Sequence, residues 1–279
     1  MTTTLRPSGP EERLPGGGRS RRFEIMVNGR PAGAVAVSAE PRAGGLTGLL
    51  SGLHVDAPDR RRGRGTVAVL AAEEVLRDWG CVRAEASVPA GAGAALGTAA
   101  ALGYTEGARN MIKALPAEPP ALPPGSRARP LGAADYPAWS AHARAGYADS
   151  LVGAGAPRAE AEAKAVRDHA VLLPDGPDTA DTALLLLSHD GTDVGHLWVR
   201  LRNAALPHEP AWVYDVEVAE EHRGRGHGRT LMLLAERVCA EAGERELKLN
   251  VFATNTPAVR LYESLGYAVT AHHFSKRLL

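Results

Sequence analysis

The chain has 279 residues, of which 44% are apolar, and it balances 32 basic against 32 acidic side chains. This length fits one large domain or two of ordinary size. The balanced charge argues against a nucleic-acid-binding or membrane-surface protein, because such proteins present a strongly basic face. The longest apolar run, Val67–Ala72, is far short of the ~20 residues that span a bilayer. The polar N-terminal segment also lacks the apolar core of a signal peptide, so we expect a cytoplasmic protein without a membrane or nucleic-acid partner.

Two cysteines, Cys81 and Cys239, are too few for a disulfide framework. Each falls in the apolar pattern of a predicted strand or helix, so we expect both to be reduced packing residues. The sequence contains neither a Cys-x-x-Cys nor a His-Glu-x-x-His pattern, and we predict no metal site.

Composition divides the chain into four segments. Residues 1–21 are polar and rich in Gly, Pro and Arg, which predicts a disordered tail. Residues 115–130, LPAEPPALPPGSRARP, contain six prolines and read as an interdomain linker. The division predicts one domain over 22–114 and a second over 131–279.

The two predicted domains show the same order of signals. In each, a hairpin and a strand lead to an Arg-Gly-Arg-Gly loop, a helix, an alternating strand, a short helix and the tripeptide Leu-Gly-Tyr. The two loops, at Arg62 and Arg223, are 161 residues apart, and the tripeptide glycines, Gly103 and Gly266, are 163 apart. A chance repeat of the whole order is improbable, and we infer an internal duplication.

The second domain begins with a segment that the first lacks. Residues 131–173 predict two helices, with Asp135 near the start of one and Pro157 near the start of the other. The predicted fold class is therefore α/β, with two tandem domains that each have a mixed, mostly antiparallel sheet flanked by helices. The first domain is a truncated copy.

The second Arg-Gly-Arg-Gly loop connects the predicted strand Trp212–Val218 to a helix. The pattern Arg223-x-x-Gly226-x-Gly228 points several backbone N–H groups in one direction, where the helix dipole adds positive charge. Glycine lets a ligand approach the backbone closely, and a diphosphate fits this arrangement. A surface turn without a ligand has the same pattern, and the loop is neither a Walker loop nor a dinucleotide fingerprint.

This loop, followed by NVFATNTPAVRLYESLGY at Asn250–Tyr267, resembles the GNAT superfamily of acyl-CoA-dependent N-acetyltransferases. The resemblance extends over 131–279, and 22–114 resembles a degenerate copy, a tandem layout similar to that of mycothiol synthase. It implies that the C-terminal domain transfers an acetyl group from acetyl-CoA to a primary amine of a small molecule or peptide, by direct attack of the amine. The alternatives are a non-catalytic acyl-CoA sensor or scaffold, and a protein lysine or N-terminal acetyltransferase.

The resemblance also implies a set of cofactor-binding residues. Backbone N–H groups of the loop would bind the CoA diphosphate, the main chain of Val216–Val218 would pair with the pantetheine arm, and Asn255 would contact it. The predicted set is Val216, Glu217, Val218, Arg223, Gly224, Arg225, Gly226, His227, Gly228, Arg229, Asn255 and Tyr262. We expect the His227 side chain to be exposed.

The reaction needs a base and an acid. An alkyl amine with a pKa of ~10.4 is protonated at neutral pH and must lose a proton before it attacks. Asp215 and Glu217 share one face of their strand by alternation, and we prefer Asp215 as the base. The resemblance places Tyr262 beside the thioester sulfur, where a phenol protonates the leaving thiolate. The acceptor pocket is predicted from residues 133–180 and 200–210.

The first domain is predicted to be catalytically inactive. Counting back from Leu-Gly-Tyr, Tyr262 corresponds to Ala99 and Asn255 to Ala92. Alignment of the two Arg-Gly-Arg-Gly loops places Val67 opposite Gly228, where a branched side chain would crowd a phosphate. We expect this domain to serve as an internal partner, so that the protein is a monomer with an internal pseudo-dimer, or a homodimer.

Overall fold

A computed structural model describes residues 2–42, 44–119, 121–153, 156–203, 206 and 208–278. The chain forms two compact units. The first unit comprises residues 1–109 together with 270–279, and the second comprises residues 110–269. The C-terminal segment, expected in the second domain, thus belongs to the first unit.

The first unit is a mixed sheet with two helices on it. Its sheet order is β1-β3-β4-β5-β6-β13, β2 lies beside β3, and only β5 and β6 run parallel among the pairs of this unit. The bounds are β1 (Thr3–Pro7), β2 (Glu12–Arg13), β3 (Arg19–Val27), β4 (Arg30–Arg42), β5 (Gly45–Val55), α1 (Arg64–Asp78), β6 (Arg83–Pro89), α2 (Gly93–Ala101) and β13 (Ala268–Arg277).

The second unit has the same plan with two further helices. Its sheet order is β7-β12-β11-β10-β9-β8, in which β11 and β12 are parallel and β8 to β11 are antiparallel. The bounds are β7 (Thr105–Ala114), β8 (Ser126–Pro130), α3 (Tyr136–Gly153), α4 (Arg158–Leu172), β9 (Thr182–His189), β10 (Thr192–Arg200), β11 (Ala211–Val218), α5 (His227–Glu241), β12 (Glu246–Phe252), α6 (Thr256–Ser264). The predicted mixed α/β fold class is confirmed, and so are the two helices predicted over 131–173.

Helix α5 shows how the apolar pattern positions an element. Leu231, Leu234 and Ala235 recur at helical spacing and are buried in the core of the second unit, with Val238 packed against it. The helix ends before Gly243, whose positive φ of 86° closes the turn. The burial of this one face fixes α5 against β10 and β11, and so fixes the loop that precedes it.

The duplication has a constant offset in the helices and the strand between them. Helices α1 and α5, strands β6 and β12, and helices α2 and α6 each begin 163 residues apart. The same offset relates two buried glutamates, Glu73 and Glu236, which are 1% and 0% exposed. The predicted internal duplication is therefore visible element by element.

Each buried glutamate is paired with a lysine from the other repeat. Both carboxylate oxygens of Glu236 accept hydrogen bonds from Lys113 Nζ, at 2.7 Å. The lysine ammonium also lies 5.7 Å from the centroid of the Tyr267 ring. A carboxylate removed from water needs such a partner, so the end of β7 neutralises the core of the second unit.

The first unit contains the same arrangement. Lys276 Nζ bonds both oxygens of Glu73 at 2.9 and 2.8 Å and lies 5.5 Å from the Tyr104 ring centroid. All three residues stand 163 positions from their counterparts in the second unit. Each repeat therefore gives its last strand segment to the unit built mainly from the other.

The structure differs from the predicted segments at two places. Residues 3–7, expected in a disordered tail, form β1, which pairs with β3 and packs Leu5 on the core of the first unit. Residues 126–130, expected in the linker, form β8 at the edge of the second sheet. Both strands lie at sheet edges, where one apolar contact suffices and Pro130 is tolerated, so neither has an alternating apolar pattern.

Replacement of Lys113 by Met should destabilise the second unit by about 3–5 kcal/mol, because it leaves the Glu236 carboxylate buried without its partner. The double change Lys113→Met with Glu236→Met should recover most of that loss. The measurement is urea unfolding followed by tryptophan fluorescence. Lys276→Met is the matched control in the first unit, and a loss below about 1 kcal/mol for Lys113→Met would contradict the account.

Candidate active site

Strands β11 and β12 diverge part of the way along their length. They are paired from Ala211 and Leu247 to Val213 and Leu249, whereas β11 continues to Val218. On its other edge β11 stays paired with β10 as far as Val218. The main chain of Val216–Val218, predicted to pair with pantetheine, thus lies along the opening between the two strands.

A β-bulge in β11 alters which side chains share a face. Trp198 of β10 is opposite Asp215, but the next residue, Val199, is opposite Val213, so Tyr214 is the extra residue. Val213 is part of the core, whereas Tyr214, Asp215 and Glu217 all line one cavity on the other face. Strict alternation would have placed Tyr214 and Asp215 on opposite faces.

The cavity has a volume of about 510 Å³ and lies between helices α3 and α4 and strand β11. Its lining combines carboxylates, imidazoles and aromatic rings: His142, Tyr147, Asp168, His169, Trp198, Tyr214, Asp215, Glu217 and Phe252. The predicted acceptor-pocket segments contribute through α3 and α4. Their residues 154, 155, 204, 205 and 207 lie outside the described part of the chain.

Asp215 is held by a histidine that the sequence did not reveal. His196 Nε2 lies 2.8 Å from Asp215 Oδ2, and the imidazole is 9% exposed. The edge of the Trp139 ring packs on the imidazole, with centroids 6.1 Å apart. The hydrogen bond and the packing together fix the orientation of the Asp215 carboxylate.

Glu217 occupies the entrance side of the same strand. His142 Nε2 lies 2.8 Å from Glu217 Oε2, and a guanidinium nitrogen of Arg223 lies 3.6 Å from Glu217 Oε1. Arg223 also donates a hydrogen bond to the carbonyl of Val218 at 3.1 Å. Glu217 is therefore engaged by two basic side chains, one of them at the start of the glycine loop.

Tyr262 lies on α6, buried in the core cluster of the second unit. Burial raises the pKa of its phenol to about 12, and the negative charge of Asp215 adds to the increase. The phenol is thus close enough to the Asp215 carboxylate to respond to its charge. Asn255 caps the same helix, because its Oδ1 accepts a hydrogen bond from the Ala258 N–H at 3.2 Å.

The glycine loop enters α5 through two residues in the left-handed region. Gly224 and Gly226 have φ of 77° and 88°, and Gly226 is the N-cap of the helix. Both glycines and Arg225 between them are exposed. His227, expected to be exposed, is instead 6% exposed, because its ring packs on His189 at the end of β9.

The loop of the first unit follows the constant offset, which corrects the predicted alignment. Gly63 is the N-cap of α1 with φ 72°, so it corresponds to Gly226, and Gly65 corresponds to Gly228. Arg60 donates to the carbonyl of Val55 as Arg223 does to Val218. Val67 lies inside the helix, away from the position of Gly228, and the first unit keeps Arg-x-x-Gly-x-Gly at residues 60–65.

Other cavity residues were also missed by the sequence reasoning. Burial lowers the pKa of His169, whose Nδ1 lies 3.1 Å from the Ala165 carbonyl. Tyr147 donates a hydrogen bond of 2.9 Å to Asp168. Such partners come from helices and strands far apart in the chain, so no local spacing signals them.

No helix among the described residues has the length and apolar character needed to cross a membrane. In the same part of the chain, no set of three His, Cys, Asp or Glu side chains is arranged to hold a metal ion.

Comparison with known proteins identifies relatives of both units. The model of the acetyltransferase (GNAT) family matches residues 6–104 and, separately, 142–267. The uncharacterized N-acetyltransferase YycN of Bacillus subtilis is 34% identical over 108 residues, which are 38% of this chain and 69% of that protein. Mycothiol acetyltransferase of Corynebacterium aurimucosum is 36% identical over 101 residues, 34% of this chain and 33% of that protein.

A solved structure supports the fold over most of the chain. The GCN5-related N-acetyltransferase of Sphaerobacter thermophilus superposes with a TM-score of 0.60 at 22% identity, covering 92% of this chain and 80% of that one. The two family matches fall on the two repeats of the duplication. The chain therefore belongs to the GNAT family of N-acetyltransferases, whose members use acetyl-CoA, and it contains two copies of the family fold in tandem.

Proposed function

We propose that the second unit transfers an acetyl group from acetyl-CoA to the primary amine of a small molecule or peptide, by direct attack of the amine on the thioester. The observation that supports this most directly is the position of Asp215. Its carboxylate lines the cavity and its charge acts on the phenol of Tyr262. A base for the amine and an acid for the thiolate are thus adjacent, at the opening between β11 and β12.

The amine must lose a proton as it attacks. Asp215 accepts that proton, because it faces the cavity and His196 holds its carboxylate in one orientation. Glu217 faces the same cavity, but it is engaged by His142 and by Arg223. These two partners make Glu217 the weaker candidate for the base.

The thioester carbonyl needs a donor as negative charge develops on its oxygen. Main-chain N–H groups of β11 beyond Val213, where the pairing with β12 stops, are suitably placed along the opening. They belong to a strand that β10 holds rigidly on its other edge, so they require no reorganisation during the reaction.

The departing thiolate takes its proton from Tyr262. With a pKa of about 12, the phenol is fully protonated at neutral pH and is available as a donor. When Asp215 accepts the proton of the amine, the negative charge that helps to raise the pKa of Tyr262 disappears. Proton uptake at Asp215 therefore makes the phenol a better acid at the moment when the thiolate leaves.

The cavity favours a cationic acceptor of limited size. Asp168, Asp215 and Glu217 are acidic, and the rings of Tyr147, Trp198 and Tyr214 supply apolar and cation-binding walls. A volume of about 510 Å³ accommodates a small amine or the end of a peptide. Mycothiol acetyltransferase, a relative, is by its name an enzyme with a small-molecule substrate.

The first unit is proposed to bind CoA without catalysing transfer. Ala92 and Ala99 stand where the second unit has Asn255 and Tyr262, so the proposed acid is missing. Strands β5 and β6 nevertheless diverge after Leu50 and Ala86, as β11 and β12 do, and the loop at residues 60–65 is complete. This unit keeps the elements for a diphosphate and lacks those for chemistry.

Asp215→Asn should lower kcat/KM about a hundredfold to ten-thousandfold, because it removes the base and keeps the shape. Glu217→Gln is the matched control and should lower kcat/KM by less than about tenfold. CoA release is measured with the best acceptor from a panel of amines and peptides. A larger loss for Glu217→Gln than for Asp215→Asn would assign the base to Glu217 instead.

Tyr262→Phe should lower kcat about tenfold to a thousandfold and leave acetyl-CoA affinity within about threefold. A group that must donate a proton is active below its pKa and inactive above it. With a pKa of about 12 for Tyr262, loss of this proton produces no fall in rate up to about pH 10. Tyr267→Phe, a buried neighbour with its ring centroid 6.0 Å away, is the control and should keep kcat.

Titration calorimetry with acetyl-CoA should show two binding sites per chain. A side chain at Gly63 or Gly226 meets no atom within 4 Å but is strained by the positive φ, so substitution disturbs the loop and spares the core. Gly63→Val should remove one site and Gly226→Val the other. One site in the unmodified chain, lost in Gly226→Val, would show that the first loop is not used.

A further inference from the structure

A second cavity of the second unit lies at the N-terminus of α5, apart from the acceptor cavity. It has a volume of about 340 Å³. Its lining comes from the ends of β9 and β10, the turn before the glycine loop and the first residue of α5: His189, Thr192, Val194, His222, Arg225 and His227. Three of these six side chains are imidazoles.

The buried imidazole of His227 is the centre of this cluster. Its ring centroid lies 5.0 Å from that of His189 and 6.4 Å from that of His222. His227 is 6% exposed, and among the described residues its ring nitrogens have no hydrogen-bond partner. A polar group that is nearly withdrawn from water and left without a partner, yet borders a cavity, indicates a ligand in that cavity.

The electrostatics of the cavity favour an anion. Burial lowers the pKa of His227, and positive charge on His189, His222 and Arg225 lowers it further. The N-terminus of the 15-residue helix α5 adds partial positive charge. The acidic side chain that approaches is Asp190, 3.6 Å from His189 Nε2 and largely exposed, while Ser126 is hydrogen-bonded to His189 Nδ1.

The first unit does not repeat this cluster. At the constant offset, His222 corresponds to Asp59, which pairs with Arg30 at 2.9 Å. His227 corresponds to Arg64, which donates a hydrogen bond of 2.9 Å to Thr3. Both counterparts are satisfied within the protein, so the unpartnered imidazoles are a property of the second unit and not of the repeated fold.

We propose that this three-histidine pocket binds a phosphate group, either the 3′-phosphate monoester of a bound CoA or free inorganic phosphate. The phosphate oxygens accept hydrogen bonds from the imidazoles and from the guanidinium of Arg225. Because neutral imidazoles become stronger donors when protonated, binding takes up protons and strengthens as the pH falls. The CoA form rests on the proposed function, and the inorganic form does not.

The first experiment uses sulfate as the probe, because its charge stays constant between about pH 6 and about pH 8 while that of histidine changes. Imidazole resonances of the full chain are followed by NMR during titration, with chloride matching the ionic strength. Saturable shifts of three histidines are expected, with an affinity about tenfold higher at the lower pH. His227→Asn and the half-exposed His222→Ala should remove them, and His54→Ala, exposed in the first unit, should not.

The second experiment separates the two sources of phosphate. CoA and 3′-dephospho-CoA are titrated against the full chain and against His222→Ala. A preference for CoA of about tenfold or more, lost in His222→Ala, identifies the 3′-phosphate. Equal affinities with saturable sulfate binding identify inorganic phosphate.

Equal affinities together with unsaturable sulfate shifts would overturn the proposal while leaving the acetyltransferase assignment intact. Failure of both cofactors to bind, with saturable sulfate binding, would sink the proposed function and keep the pocket.

Discussion

The separation of β11 from β12 is the constraint on which the site depends. A parallel pair that remained zipped would use every main-chain N–H and C=O of Val216–Val218 in the sheet. The pair instead stops at Val213, so β11 presents one edge to the opening and stays anchored to β10 on the other. The bulge at Tyr214 then turns Asp215 and Glu217 to the same face as Tyr214. One backbone irregularity thus positions the proposed oxyanion donors, the base and the cavity wall together.

The exchanged strand segments give a physical reason for keeping a repeat that has lost its chemistry. Lys113 belongs to the first repeat in sequence, yet it neutralises Glu236 in the core of the second unit. Lys276 does the reverse for Glu73. Removal of either repeat would leave a buried carboxylate without its ammonium in the other, so the acid lost at Ala99 does not make the first repeat dispensable.

The sequence was sufficient for features that depend on local pattern. Strand β11, the loop, helix α5 and the two helices over 131–173 follow from periodicity, glycine and capping signals, and all are present. The loop alignment failed because Arg-Gly-Arg-Gly is also found two positions away from the true register. Only the helix N-caps, Gly63 and Gly226, reveal that Gly65 and not Val67 matches Gly228.

Features that depend on tertiary contacts were beyond sequence reasoning. His196 meets Asp215 across a bulge that shifts the register, and His142 reaches Glu217 from a helix 75 residues earlier. His227 looked like an exposed loop residue, but packing of α5 on the sheet draws it inward. Histidine patterns gave no signal because an imidazole serves equally in a core, a dyad or an anion site.

The glycine loop therefore has two distinct faces. Its backbone N–H groups at the start of α5 are available to a diphosphate, while the side chains of Arg225 and His227 border the three-histidine pocket. Two phosphate groups bound at one helix terminus would repel each other unless protons accompany the second. Imidazoles, which gain charge when an anion arrives, supply that compensation where fixed lysines would repel one another in the empty pocket. The choice of histidine at His189, His222 and His227 follows from this requirement.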